Sequence, residues 1–294
     1  MSAPKTISTL LYNDSSYSGI PLANLFNEKF VAVSSSLPPL EWTPIPVTEI
    51  PSEFSISVDD VQRSLSSSKR HSSSGPDNIP SWLLRENAVS LSRPLCAIYN
   101  SSVQEGYDPS SWKTADVVPI PKSAPALDVD SNVRPISLTP VVSKLFEAFL
   151  FDWLLNSIYD QIDPLQFGSL KGSNSTMALI YLLQKWQEAM DHPGSSLRIC
   201  LLDFSKAFDC INHNILLNKL KDTNVHPHVL LNWLASFLSN RTQPVKIGSH
   251  FSECRSVSSG VPQGTKLGPL LFLIMVNDLR SQENIVKYVD DSTL

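Results

Sequence analysis

Apolar residues are unevenly spread along this 294-residue chain, and their spacing changes character several times. Leu22 to Val33 carries Phe26 and Phe30 four residues apart, the spacing of one helix face. Ser34 to Ser57 breaks that period with Leu37-Pro38-Pro39 and Pro44-Ile45-Pro46, which predicts an extended linker rather than folded core. Ser57 then reads as a helix cap. Asp60 stands three residues on, and Val58, Val61 and Leu65 follow at helical spacing. A Ser-rich loop, Ser66 to Ser74, holds Lys69, Arg70 and His71, and reads either as solvated chain or as a basic contact to nucleic acid. Trp82 to Gln104 predicts mostly helix. Val117-Val118-Pro119-Ile120 predicts a strand leading to Lys122, and a polar loop runs from Ser123 to Asn132.

Pro140 precedes a helix from Val141 to Ile158 that is apolar on more than one face, which predicts burial. Thr176 to Met190 is a second apolar helix whose Met, Tyr and Trp side chains are expected to pack. Leu197 to Leu202 is an apolar run of strand length, expected to be buried with Cys200 in the core, and it ends in Asp203. Asn212 to Asp222 and Leu230 to Leu238 predict helices. Val245 to Gly248 and Arg255 to Val257 predict a hairpin, and Ser258 to Gly264 opens a helix through Leu270 to Leu279. The last nine residues, Val286 to Leu294, predict strand, tight turn, strand. Asp290 and Asp291 occupy that turn between β-branched and aromatic residues, a place where carboxylates carry a local cost.

Composition narrows the class. Hydrophobic residues at 42% and charged residues at 17% describe a globular chain. The formal charge of −5 runs against a generic polyanion binder, so phosphate contacts would have to come from local basic spots. Cys96, Cys200, Cys210 and Cys254 form no C-x-x-C pair, which argues against zinc and predicts reduced thiols inside a cell. Met1 to Lys5 lacks an apolar signal core, and the longest apolar run, Leu270 to Val276, is too short for a bilayer. An intracellular protein without membrane contact is expected, in nucleus or cytoplasm, with no clear targeting run.

The candidate chemistry lies in the carboxylates. Asp203 at one strand end and Asp290-Asp291 at a turn can bridge two divalent cations roughly 3.5–4 Å apart, an arrangement that clamps both oxygens of a phosphoryl transfer. Mg²⁺ suits such a site because it takes a few carboxylates together with substrate phosphates, with Mn²⁺ as a substitute.

Six strings then converge on one family. Leu201-Leu202-Asp203-Phe204-Ser205-Lys206-Ala207-Phe208-Asp209, Ser259-Gly260-Val261-Pro262-Gln263-Gly264-Thr265 and Tyr288-Val289-Asp290-Asp291 resemble three successive motifs of reverse transcriptases. Ser74-Gly75-Pro76-Asp77, Arg134-Pro135-Ile136-Ser137 and Gln166-Phe167-Gly168 resemble upstream motifs of the non-LTR retrotransposon branch, jockey-like elements especially. The resemblance runs from about Phe26 to Leu294.

It implies an α+β fold: polymerase fingers and a partial, split β-α-β (ferredoxin-like) palm that lacks its last helix and strand, without a thumb. The division would be an N-terminal region and linker over 1–57, fingers over 58–196 and partial palm over 197–294. It implies an RNA-directed DNA polymerase acting on an RNA template, a DNA primer and a dNTP. Asp203 and Asp290 would be the principal metal ligands, Asp291 a secondary one, and the Phe204 carbonyl would help hold the nucleotide metal. Phe208 would be the steric gate against a ribose 2′-hydroxyl. Lys122 and Arg134 would grip the triphosphate, and Gln263 and Gly264 would line the nucleotide and template base. Because the chain stops three residues after Asp291, the isolated polypeptide is expected to be weakly active or inactive.

Plainer readings stand beside these. Asp209 reads as a helix cap, Gly264 also as a helix-start glycine, His213 as a helix-start residue, and His226-Pro227-His228 as exposed rather than metal-binding. A non-catalytic RNA-binding relic and a group II intron-type enzyme are the alternatives. An RNA-dependent RNA polymerase fits less well, because Phe208 would exclude ribonucleotides.

Overall fold

The computed structural model describes residues 7–47, 49–122, 132–191, 194, 196–223, 225, 227–281 and 285–294. The Ser123–Asn132 loop apart from its last residue, His226, and Met1 to Lys5 lie outside the described residues.

Thr9–Tyr12 (β1) and Ser15–Ser18 (β2) form an antiparallel hairpin that leads into Gly19–Ser35 (α1). The Ser/Pro-rich stretch that follows is extended, yet it is not a free tether. Leu40, Trp42, Ile45, Val47 and Ile50 pack on the main core, and the Trp42 indole donates to Asn232 Oδ1 (3.2 Å). Proline removes backbone donors without removing apolar surface, so such a segment can be irregular and still docked.

Val58–Ser67 (α2) begins on the expected capping box: the Ser57 hydroxyl accepts from the Asp60 N–H (3.1 Å), and the Asp60 carboxylate accepts in return. The helical stretch after Pro80 is two helices, Ser81–Glu86 (α3) and Ala88–Glu105 (α4), interrupted at Asn87. Asp116–Pro121 (β3) pairs with Val133–Leu138 (β4). Val141–Ile158 (α5) is the central helix. Its Phe146 stacks on Tyr99 at 4.7 Å and meets Trp233 edge-on at 5.4 Å, inside a core shared with α2, α4 and three later helices.

Two expectations fail over the next elements. Ser175–Met190 (α6) buries only Ala178; Met177, Leu179, Ile180 and Leu183 are exposed. The strand before Asp203 is short, Leu201–Asp203 (β5), and exposed; Leu201 retains 77% of its surface and Cys200 is also exposed. Apolar content predicts burial only when another element covers that face, and no described element covers this one.

His213–Asp222 (α7) and Val229–Leu238 (α8) complete the helical core. Arg241–Gln243 (β6), Lys246–Ile247 (β7), His250–Phe251 (β8) and Arg255–Val257 (β9) follow. The expected pairing of 245–248 with 255–257 is corrected. Gly248, at φ +60, closes a tight β7–β8 hairpin, and β9 pairs with β6 instead. Gly268–Val276 (α9) is almost wholly buried. Val286–Tyr288 (β10) and Asp291–Thr293 (β11) form the terminal hairpin, in a sheet of order β10–β11–β5. The architecture is α+β. Among the described residues, no helix is long and apolar enough to cross a membrane.

Candidate active site

Register brings the carboxylates together. β11 runs antiparallel to β5 with Asp291 directly opposite Asp203, and the two-residue turn Val289-Asp290 joins β10 to β11. Like charges opposite one another destabilise a sheet. Burial, Asp290 and Asp203 together hold the Asp291 carboxyl above its ordinary value. Among the described residues, no three His, Cys, Asp or Glu side chains gather closely enough to hold a metal ion by themselves. The donor set nevertheless fits a hard cation that takes its remaining ligands from substrate phosphate: carboxylate oxygens only, mutually repelling, on one open surface.

These residues border a cleft of about 560 Å³. Its walls hold Asp203, Phe204, Phe208, Asp290 and Asp291 together with Lys122, Arg134 and Gln263. Lys122 and Arg134 share one face of the β3–β4 ladder. Ile120 pairs with Arg134, and the Lys122 N–H donates to the Asn132 carbonyl at 2.7 Å, which places Lys122 two residues along the same side. The Phe208 ring is braced by Phe272, centroid to centroid at 5.2 Å.

Gly264 does not line the cleft and does not start α9, which begins at Gly268. It adopts φ +118, and a Cβ there would lie 2.7 Å from the Ser137 carbonyl oxygen. A side chain is excluded because this loop lies directly on β4, where the Ser137 N–H donates to the Gln263 carbonyl (2.7 Å). Gly75 has a similar reason: its Cβ would meet Pro140 N and Thr139 C at 2.5 Å, so the Ser-Gly-Pro-Asp string is packed against the start of α5.

Asp209 is not a helix cap. Asn212 caps α7, accepting from the Asn214 and Ile215 N–H groups at 2.9 and 3.1 Å. Asp209 instead accepts from Gln263 Nε2 at 3.1 and 3.3 Å, and burial raises its carboxyl. An ionised carboxylate only accepts, so it orients the Gln263 amide with its N–H₂ toward Asp209. His213 does begin α7; it is buried, with Nε2 2.7 Å from the Gly260 carbonyl. His228 is half-buried at the start of α8. Arg70 of the Ser-rich loop pairs with Glu86 at 2.7 Å.

Lys29 and Phe30 of α1, and Lys206, also line the cleft, and the sequence reading gave none of them a role there. Lys206 lay inside a quoted motif and carries φ +52, the tight turn after β5. Nothing local marks Lys29, because only the packing of α1 brings it to the site.

Residues 120–294 match the family described as reverse transcriptase (RNA-dependent DNA polymerase). The chain belongs to the reverse transcriptase family. Within that family it is similar to polymerases of jockey-like elements. It is 31% identical over 221 residues to the RNA-directed DNA polymerase from mobile element jockey of Drosophila melanogaster, covering 74% of this chain and 23% of that protein. It is 29% identical to the probable RNA-directed DNA polymerase from transposon BS of the same fly, over 76% of this chain and 25% of that protein. The jockey polymerase of Drosophila funebris is 29% identical over 81% of this chain and 26% of its own length. The chain thus spans about a quarter of the length of these curated relatives.

Proposed function

We propose that this chain forms the fingers and partial palm of an RNA-directed DNA polymerase, extending a DNA primer on an RNA template with dNTPs. The observation that carries this reading is the register of Asp291 against Asp203, with Asp290 at the adjoining turn, in one cleft with Lys122, Arg134 and Phe208. The primer 3′-hydroxyl forms a bond to the α-phosphorus as the α–β bridging P–O bond breaks and pyrophosphate leaves. Mg²⁺ held by Asp203, the Phe204 carbonyl, Asp290 and Asp291 would acidify the attacking hydroxyl and neutralise the phosphates. Lys122 and Arg134 orient the triphosphate across the cleft. Arg134 can do so through paired N–H donors, and Lys122 as a point charge. Phe208 fills the space beside the sugar, and its contact with Phe272 keeps the ring from swinging aside. Asp209 holds the Gln263 amide, which lines the same cleft.

Primer extension on an RNA template with Mg²⁺ tests the reading. Incorporation should fall to background in Asp203→Ala and Asp290→Ala. RNA binding without incorporation, unchanged by Asp203→Ala, would instead identify a non-catalytic binder.

A further inference from the structure

The Val289-Asp290 turn is strained, and the residues that hold it lie outside the cleft. Val289 has φ +58, a left-handed conformation that is unfavourable for a β-branched residue and persists only where its surroundings over-determine it. Two residues before Val289, Lys287 is fully buried. Its Nζ donates to Asp163 Oδ2 at 2.6 Å and to the carbonyls of Val276 and Asn277, both at 3.3 Å. Those carbonyls end α9, where the helix dipole favours a cation.

The backbone is clamped on the same side. The Lys287 N–H donates to the Leu165 carbonyl (2.9 Å), and the Lys287 carbonyl accepts from the Phe167 N–H (2.8 Å). The chain then passes under the turn at Gly168. A Cβ there would lie 2.3 Å from Val289 N and 2.7 Å from Val289 Cγ2. The Gln166 side-chain oxygen accepts from the Gly168 N–H at 2.8 Å and closes this segment on itself. Asp163 is tied to α9 as well, its N–H donating to Asn277 Oδ1 at 2.8 Å.

We propose that Asp163, Gly168 and Lys287 are positioning residues that hold Val289 left-handed, and so set Asp290 and Asp291 against Asp203. The ion pair fixes β10 to the end of α9. Gly168 provides a floor that only a residue without Cβ can form. None of the three lines the cleft. The assignment rests on the cation-binding reading above, and it concerns the spacing of the carboxylates rather than their identity.

Terbium luminescence sensitised by Tyr288 reports on this site without requiring catalysis. The purified chain should give a saturable signal that Mg²⁺ displaces and Asp290→Asn abolishes. Gly168→Ala should weaken terbium binding about tenfold or more, while helix circular dichroism and cooperative unfolding persist. Adding Val289→Gly should recover part of that loss, because glycine accepts the positive φ and removes Cγ2. Where Gly168→Ala does not fold, the double variant Lys287→Met/Asp163→Asn removes both buried charges without adding volume, and it should show the same weakening. Folded variants that bind terbium like the parent overturn the assignment. A parent without any signal sensitive to Asp290→Asn overturns the cation-binding reading, and the positioning role with it.

Discussion

Glu147→Ala is expected to destabilise the fold by about 3–5 kcal/mol, while Glu147→Gln changes it by less than about 1 kcal/mol. Glu147 sits on α5 and is fully buried. A single oxygen, Oε2, accepts from the N–H groups of Lys266 (2.7 Å) and Leu267 (3.2 Å), just ahead of α9. Alanine leaves both donors unpartnered, at about 1–2 kcal/mol each, and removes packed atoms worth about 1 kcal/mol more. Glutamine places its carbonyl oxygen where Oε2 was and keeps both bonds. Its N–H₂ takes the place of Oε1, 3.3 Å from the Ser143 hydroxyl, which can accept as readily as donate. Burial raises the Glu147 carboxyl, so ionisation works against the fold at neutral pH and an amide relieves that cost. Loss of attraction to Arg241 and Lys144 offsets part of the relief. Urea unfolding at pH 7, followed by circular dichroism, measures both variants. Equal losses for glutamine and alanine would refute the capping argument and assign the effect to charge. Because the Gln263–Gly264 loop leads into α9, the alanine variant also loosens one wall of the cleft.

Two further outcomes follow from a buried carboxylate and from the Phe208 ring. Asp108 is buried, neither carboxylate oxygen has a hydrogen-bond partner among the described residues, and the nearest guanidinium nitrogen of Arg241 is 3.8 Å away. Burial pushes its pKa up to about 7 from an unfolded value near 3.8, so the folded state binds the extra proton between those values and stability declines as pH rises through that window. Asp108→Asn should flatten this slope in melting temperature measured from pH 4 to 7; an unchanged slope assigns it to other groups. Phe208→Val should raise ribonucleotide incorporation relative to deoxyribonucleotide by about 10–100-fold in primer extension, since a hydrophobic wall rejects one hydroxyl only modestly. Unchanged discrimination would remove Phe208 from the gate.

Local chemistry and motif order carried much of this protein into view. The Ser57–Asp60 capping box and the turn of the terminal hairpin depend on neighbours within a few residues, so spacing determines them; α5 is likewise helical by its own spacing, while its burial comes from partners such as Tyr99 and Trp233. Asp203, Asp290, Asp291 and Phe208 lie in strings of family character, and all of them border one cleft. What spacing could not reach depends on long-range contact. Whether α6 and β5 are covered, which strand β9 pairs with, and that Asp209 grips Gln263 rather than capping α7 are decided by partners tens of residues away. Gly264 and Gly168 read alike as motif glycines, yet one is required by the Ser137 carbonyl and the other by the Val289 backbone. Sequence order thus marked out the candidate groups, because their chemistry is carried by residue type. Tertiary structure alone established their support, because a buried ion pair such as Lys287–Asp163 joins residues 124 positions apart and exists only once the chain has closed around it.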